Sequence, residues 1–300
     1  MPASVVVASC RDPRLLERLL AALAPLAERH GVERVVARAG TAAEVAALEA
    51  RHPGVRFVRA APGTGVPALR GLGMQAATGD PVAVTEDHLV PAPDWLDRLV
   101  PALGPGIGAA GGGMANGEGL GLLAWAAYYS DYGFYSKARR DAPGAIPLLT
   151  AANIVYPRRV VADVAAWSVA GEWENVLHDR LRAQGERLAF VPEAVVYHVQ
   201  RYGFVEFCRD RYEHGLEYAR SRLAEHPESN RWLLLLAAPL LAVLLFLRIA
   251  KASWRERPAA FLAATPLTLL LLGWWAIGEA VGYWRGPARA LAAGVGARTA

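Results

Sequence analysis

The chain has few cysteines and lacks an N-terminal export signal. Cys10 and Cys208 are the two cysteines, and they lie far apart with no metal-ligand spacing, so we expect reduced thiols. The start, MPASVVVASCRDP, has no basic region and no cleavage site, and its apolar run is too short for a signal peptide. We therefore expect the first domain to stay in the cytoplasm.

Blocks of basic residues are also lacking. The formal net charge is +4 at pH 7, and the basic residues, mostly arginine, are spread along the chain. This pattern gives little support for nucleic acid as a partner, which we exclude, and fits a membrane-surface protein at least as well. With 300 residues and 54% hydrophobic residues, the chain is long and apolar enough for one large folded domain and a smaller part.

Residues 1 to about 105 alternate short β-branched runs with helical patterns, from SVVVAS and PRLLERLLAALAPLAERH to PVAVTED. Strands separated by single helices predict right-handed crossovers and a mainly parallel mixed sheet flanked by helices, which is the α/β class. Asp12 and Pro13 are typical of the start of the first helix. After a glycine-rich patch and an aromatic segment, a strand, a helix and a further strand are predicted, and we assign residues 1–222 to one α/β domain.

The remainder, residues 223–300, is predicted to be an apolar helical hairpin with a tail. WLLLLAAPLLAVLLFL and residues 259–278 are uncharged and near membrane-spanning length, although Pro239 interrupts the first run. If both helices span, the basic linker RIAKASWRERP crosses to the far side, against the positive-inside tendency. A re-entrant or interfacial hairpin avoids this conflict, and both topologies stay open. Two buried core helices are the remaining alternative.

Two carboxylates and an imidazole follow the strand in VTEDH. Sheets of this type bind ligands at the carboxyl ends of their strands, where Glu86, Asp87 and His88 are expected to lie. Oxygen and nitrogen donors together suit Mn²⁺ at least as well as Mg²⁺, and such an ion would neutralise a diphosphate leaving group. A solvated acidic turn is the alternative.

Around this turn stand a helix containing Arg70-Gly71 and Gly73, a Gly79-Asp80 turn, and PAPDWL. In order and spacing these segments resemble the family 2 nucleotide-sugar glycosyltransferases of the GT-A fold, although Gly71 replaces the usual Asn. The resemblance implies a Rossmann-type GT-A-like sheet and an Asp-x-Asp variant in which His88 takes the last metal-binding position. The donor-side residues that it implies are Ser9, Arg70, Gly73 and Asp80.

A second segment, EWENVLHDRLRAQGERLAFVPEAVVYH, resembles the family's catalytic-base region. By that resemblance Glu174 is the general base, Trp173 stands where the family commonly has Glu, and His198 is a late metal or phosphate ligand. Glu172 is the rival base, and an ordinary helix-start carboxylate and a structural histidine are the alternative interpretations. The acceptor-side residues implied are Asn153, Tyr156, Arg158 and Trp173. The aromatic segment from Trp125 to Tyr135 is assigned to core packing, a membrane interface or sugar stacking.

The sequence also departs from the family's pattern. The second strand ends in Ala37-Arg38-Ala39 and lacks the Asp that reads the nucleotide base, so the donor is not specified. No Q-x-x-R-W motif is present, which argues against a processive polymerase. We therefore expect a membrane-associated, inverting, metal-assisted glycosyltransferase at the inner or plasma membrane, with a lipid-linked or cell-envelope glycan acceptor. A catalytically degenerate GT-A-like binding module is the alternative, and a nucleotidyltransferase is disfavoured because a glycine- and lysine-rich phosphate loop is lacking.

Overall fold

The computed structural model describes residues 2–117, 119–139 and 148–286, and the predicted tail beyond residue 286 lies outside them. Within these ranges one mixed sheet of eight strands has the order β3-β2-β1-β4-β7-β6-β8-β5. This confirms the predicted mixed sheet. The strands are β1 (Ser4–Ser9), β2 (Glu33–Ala39), β3 (Arg56–Ala60), β4 (Val82–Glu86), β5 (Leu89–Pro91), β6 (Ile107–Asn116), β7 (Asn153–Tyr156) and β8 (Arg187–His198).

The helices cover both faces of the sheet. Helix α1 begins as predicted, with the Asp12 side chain accepting a hydrogen bond from the Arg14 amide and Pro13 in the first turn. Its leucine stripe is buried in the main core, because residues three and four apart share one helix face. The helices are α1 (Pro13–His30), α2 (Ala42–Arg51), α3 (Val66–Ala76), α4 (Trp95–Leu99), α5 (Leu122–Tyr132), α6 (Arg158–Val169), α7 (Glu174–Ala183), α8 (Phe204–Glu225), α9 (Arg231–Ser253) and α10 (Pro258–Arg285).

The glycine-rich patch is a strand, β6, which sequence analysis missed because glycine disfavours strands. Its glycines leave room for neighbouring groups. A Cβ on Gly112 would lie 2.1 Å from the Ala194 carbonyl oxygen, and one on Gly113 would lie 2.2 Å from that of Pro192. The segment of β8 between Val191 and Val196 therefore bulges over β6, its hydrogen-bonded neighbour, where the pairing register shifts between Gly112 and Met114.

The C-terminal helices α9 and α10 form the predicted hairpin. Among the described residues these two helices are long and apolar enough to cross a membrane, by length and composition. Neither is a core helix, since many of their large apolar side chains are exposed. The inner face of the hairpin packs on the α/β domain, and Ile249, Phe261 and Leu271 belong to the same buried cluster as the sheet.

Candidate active site

Strands β1, β2 and β4 end at the same edge of the sheet. The parallel register pairs Ser9 with Arg38 and Ala8 with Glu86. Asp87 and His88 follow in the turn between β4 and β5, and their side chains are 1% and 2% exposed. The carboxylates and imidazole identified in the sequence therefore lie at the carboxyl end of a central strand, but in a buried turn rather than a solvated one.

Asp87 holds the loop after β1. Its Oδ2 accepts hydrogen bonds of 2.9 Å from the Ser9 hydroxyl and from the amides of Cys10 and Arg11, and the Arg38 guanidinium lies 3.6 Å away. Burial would raise the pKa of Asp87, but His88 and the donors from Arg11 and Ser9 lower it below its usual value. Asp87 is thus ionised, with one oxygen fully engaged by the protein.

Arg70, on α3, joins two carboxylates that are far apart in the sequence. Its Nη1 donates to Glu174 Oε2 at 3.1 Å, and its Nη2 donates to Glu86 Oε1. Burial would raise the pKa of Glu86, but the charges of Arg70 and His88 lower it. Glu174 is the first residue of α7, and its side chain retains 19% exposure. The structure therefore brings the predicted base beside the predicted metal turn.

Two histidines and two tyrosines line the next layer. His88 Nε2 lies 3.0 Å from the Tyr132 hydroxyl, and His198 Nε2 lies 3.1 Å from the Tyr202 hydroxyl. The imidazole centroids are 5.5 Å apart. Burial lowers the pKa of His198 well below its ordinary value, so this imidazole is neutral, the form that binds metals. The Nδ1 atoms of both histidines are buried without a hydrogen-bond partner.

These side chains include ligand types that bind divalent ions, but they are not arranged as a complete metal site. Among the described residues no three His, Cys, Asp or Glu side chains form a group that could hold a metal. His88 Nδ1 nevertheless lies 3.7 Å from Glu86 Oε2 and 3.6 Å from Asp87 Oδ1. The carboxylates of Glu86 and Asp87 beside the unpartnered His88 Nδ1 form an oxygen and nitrogen donor set of the kind that Mn²⁺ accepts.

Several predicted site residues lie elsewhere. Asp80 precedes β4 and lies at the opposite end of that strand from Glu86, and its Oδ1 accepts a hydrogen bond from the Arg158 amide. Tyr156 is buried and pairs with Val82 at that same far edge. Gly73 lies under β1, where a Cβ would meet Val6 at 2.4 Å. Asp80 and Gly73 do not converge with the carboxylate turn, whereas the Tyr156 hydroxyl is close enough to Arg70 and Glu174 for their charges to act on its pKa, which burial raises.

Asn153 is also a core residue in this structure. Its Oδ1 accepts a 2.8 Å hydrogen bond from the Trp95 indole, and its Nδ2 donates to the carbonyls of Gly113 and Ala194 at 3.0 Å. Every polar atom of the side chain is therefore engaged. Of the acceptor-side set, Trp173 lies beside Arg70, with its ring centroid 6.0 Å from the guanidinium.

The rival base is held apart from the site. Glu172 Oε1 accepts a 2.6 Å hydrogen bond from Arg180, whose side chain is 45% exposed. Arg70 is instead paired with Glu174, whose Oε2 lies 3.1 Å from its Nη1. The geometry therefore favours Glu174 as the carboxylate of the site.

Sequence reasoning did not identify two of the arginines beside the site. Arg38 Nη1 donates to the Ser9 hydroxyl at 2.8 Å and to the Arg11 carbonyl at 2.7 Å. Its place at the carboxyl end of β2, paired with Ser9, could have been predicted from the parallel strand pattern. On α8, Arg211 forms a 2.5 Å ion pair with Asp131 of α5, next to Tyr132. That contact joins helices distant in sequence, so no pattern in the residues near Arg211 predicts it.

Comparisons with known proteins bear on the fold and the family. The mannosyltransferase PcManGT from Pyrobaculum calidifontis, solved with GDP-Man and Mn²⁺, has a TM-score of 0.58 and 16% identity, over 95% of this chain and 87% of that one. TarS residues 1–349 from S. aureus have a TM-score of 0.49 and 13% identity, over 96% and 93%. None of the curated protein sequences compared matches the chain.

The PcManGT similarity confirms the GT-A-like fold. The family model described as "Glycosyltransferase like family 2" matches residues 2–211, which span the whole sheet and the start of α8. The chain therefore belongs to glycosyltransferase family 2.

Proposed function

We propose that the chain transfers a sugar from a nucleotide diphosphate donor to a lipid-linked or cell-envelope glycan acceptor at the membrane, with inversion of the anomeric centre. The observation that carries the proposal is the bridge from Glu86 through Arg70 to Glu174 at the carboxyl ends of the strands. It places a partly exposed carboxylate next to a buried acidic turn. A base and a leaving-group site are the two elements that a single displacement requires.

Glu174 removes the proton from the acceptor hydroxyl as the hydroxyl oxygen attacks the anomeric carbon. Arg70 orients this carboxylate through its Nη1, and Glu174 stands in the first turn of α7. Trp173, the residue before the helix, offers an aromatic face to the acceptor. Because attack and departure occur on opposite faces of the sugar, one displacement inverts the anomeric centre.

The nucleotide-sugar donor binds beside the turn that contains Asp87 and His88. Ser9 and Arg70 remain the proposed donor-side residues, and the loop after β1 gains its shape from Asp87. A divalent ion held by Glu86, Asp87, His88 and His198 would neutralise the charge that develops on the departing diphosphate. PcManGT was solved with GDP-Man and Mn²⁺, which supports a nucleotide sugar as the donor class.

The acceptor is proposed to be presented at the inner or plasma membrane, with the catalytic domain on the cytoplasmic side. Support comes from the two apolar helices, whose outer side chains are exposed. Helix α8 connects them to the site, since it follows Tyr202 and packs along α10. An acceptor anchored in lipid would then reach Trp173 without leaving the membrane surface.

The competing proposal is a binding module that has lost transfer activity. One observation favours it: the strand end that should read the nucleotide base carries Arg38, whose guanidinium is engaged by Ser9, Arg11 and Asp87. A donor base would have to be recognised by other groups.

The test uses purified full-length protein with Mn²⁺ and a panel of UDP-, GDP- and dTDP-sugars, with donor binding and hydrolysis as readouts. We expect one nucleotide class to bind, with binding and turnover lost after chelation and restored by Mn²⁺. Glu174→Gln should lose about 10²–10⁴-fold in turnover and keep donor binding, because only the proton acceptor is removed. Glu172→Gln is the comparison variant.

Full turnover by Glu174→Gln would eliminate the base assignment, and a selective loss in Glu172→Gln would transfer the role to that residue. Binding without turnover in the unaltered protein, across donors and lipid acceptors, would favour the binding module. No binding of any donor would refute the transferase.

A further inference from the structure

The linker of the hairpin is attached to the catalytic domain. Glu256, between α9 and α10, accepts hydrogen bonds of 2.7 Å from the hydroxyls of Tyr128 and Ser136. Ser136 in turn is bridged to Met114 of β6. Burial raises the pKa of Glu256, which is held close to the edge of the sheet. The linker therefore lies on the same side as the sheet, not across a bilayer from it.

The opposite end of α10 is packed against α8 with backbones almost touching. A Cβ on Gly278 would lie 2.0 Å from the Tyr212 carbonyl oxygen, and one on Gly215 would lie 2.1 Å from that of Trp275. Gly282 faces the Ala219 methyl group in the same way. Small residues at one helix crossing allow this approach, and the two helices form a single unit.

Helix α8 cannot enter a hydrocarbon layer with its partner. Its outward residues include Glu206, Arg209, Glu213 and Glu217, all exposed. Charged side chains within a bilayer are costly unless paired in the protein interior or in water. Because α10 runs along α5 near the linker and along α8 farther on, neither half is free to cross.

The outer face of the hairpin is nevertheless apolar. Leu236 is 80% exposed and Leu262 72% exposed. Tryptophans stand near both ends of the hairpin, and basic side chains gather around the linker. The exposed large apolar residues of the two helices are Trp232, Leu233, Leu236, Leu240, Val243, Leu244, Leu247, Leu262, Leu269, Leu270, Trp274, Ile277 and Trp284. The exposed basic residues near the linker are Arg248, Lys251, Arg255 and Arg257.

We propose that the hairpin lies in the plane of one leaflet of an anionic membrane and does not cross it. The outer leucines enter the acyl chains, the tryptophans lie at the headgroup level, and the linker cations contact anionic headgroups. This topology removes the conflict with the positive-inside tendency, because the basic linker never leaves the cytoplasmic side. The inference rests on the membrane association in the proposed function but not on the transfer reaction.

The first test compares the side on which two single cysteines react. In a Cys10→Ser background, R255C reports on the linker and R59C on the catalytic domain, since both arginines are exposed. Each full-length variant is labelled with a membrane-impermeant maleimide in sealed inverted inner-membrane vesicles and in right-side-out spheroplasts. Cys10→Ser alone measures the background from the buried Cys208.

We expect R255C and R59C to react from the cytoplasmic face and neither to react from the other. Labelling of R255C from the opposite face would show a spanning hairpin and overturn the proposal. Protection of R255C from both faces would also overturn it, because an in-plane linker is open to water.

The second test measures flotation of the purified chain with vesicles. Binding to phosphatidylglycerol vesicles is expected, weaker on phosphatidylcholine and at high salt, and lost in L236E/L240E. The matched control, A46E/A47E, adds the same charges at exposed positions of α2 and should float normally. Equal flotation of L236E/L240E, or a stable dimer that covers the apolar face and does not bind vesicles, would overturn the proposal. Neither test measures transfer, so failure of the enzyme proposal remains distinguishable.

Discussion

Removing the Arg70 guanidinium should strongly destabilise the domain. The residue is 5% exposed and connects Glu86 and Glu174. In Arg70→Met both carboxylates lose their shared cation. Because the Glu86 side chain is only 9% exposed, most of the penalty arises there, while Glu174, at 19%, retains more contact with water. A buried pair broken on one side typically costs about 3–5 kcal/mol, and that is the expected loss in the free energy of unfolding.

The assay is urea unfolding at pH 7 in the absence of divalent ions, and unfolding is monitored by a spectroscopic signal from the α/β domain. Arg180→Met is the control, since it breaks an arginine–glutamate contact of similar chemistry whose arginine is 45% exposed, and it should cost less than about 1 kcal/mol. Adding Glu86→Gln to Arg70→Met should recover part of the loss, because the stranded charge is removed. An Arg70→Met protein within about 1 kcal/mol of the parent would refute the reasoning.

Two further predictions concern pH and helix packing. His178 is buried on α7, where burial and then the nearby charges of Arg182 and Arg70 lower its pKa to about 3. The unfolded state therefore binds more protons between about pH 3 and 6.5, and the free energy of unfolding should fall with decreasing pH by up to about 1.4 kcal/mol per unit. Acid titration of unfolding should show a shallower slope in His178→Asn, and an unchanged slope would contradict the assignment. Gly278→Ala should destabilise the α8–α10 crossing by about 1–3 kcal/mol, whereas Gly273→Ala, whose Cβ meets nothing within 4 Å, should not, as judged by thermal unfolding in detergent. Equal melting temperatures of the two glycine variants would show that the crossing is not close-packed.

The rule that ligands bind at the carboxyl ends of parallel strands accounts for part of the site that the sequence predicted. The alternation of strands and helices places Glu86 and Asp87 at the carboxyl ends of the strands, and the family resemblance implied Ser9 on the donor side. The family resemblance added Arg70 and Glu174, and the structure joins them by one guanidinium. The order of motifs along the chain was thus sufficient to find residues that meet over long sequence distances.

What the sequence did not predict depends on contacts between distant segments. Asn153 has a side chain that suits an acceptor pocket as well as a core, and only the positions of Trp95 and Gly113 decide between them. The strand β6 was missed because its residues have low strand propensity, which the close approach of β8 overrides. Hydropathy likewise reported two apolar helices but not the polar attachment of Glu256.

The glycines of β6 also set the position of the candidate active site relative to the hairpin. Strand β8 rests on Gly112 and Gly113, carries His198 at its end, and leads through Tyr202 into α8, on which α10 is seated. One added methyl group on Gly112 or Gly113 would displace β8. His198 and helix α8, against which α10 packs, would move with it. The spacing between His198 and the apolar hairpin therefore depends on the two hydrogen atoms that Gly112 and Gly113 carry in place of side chains.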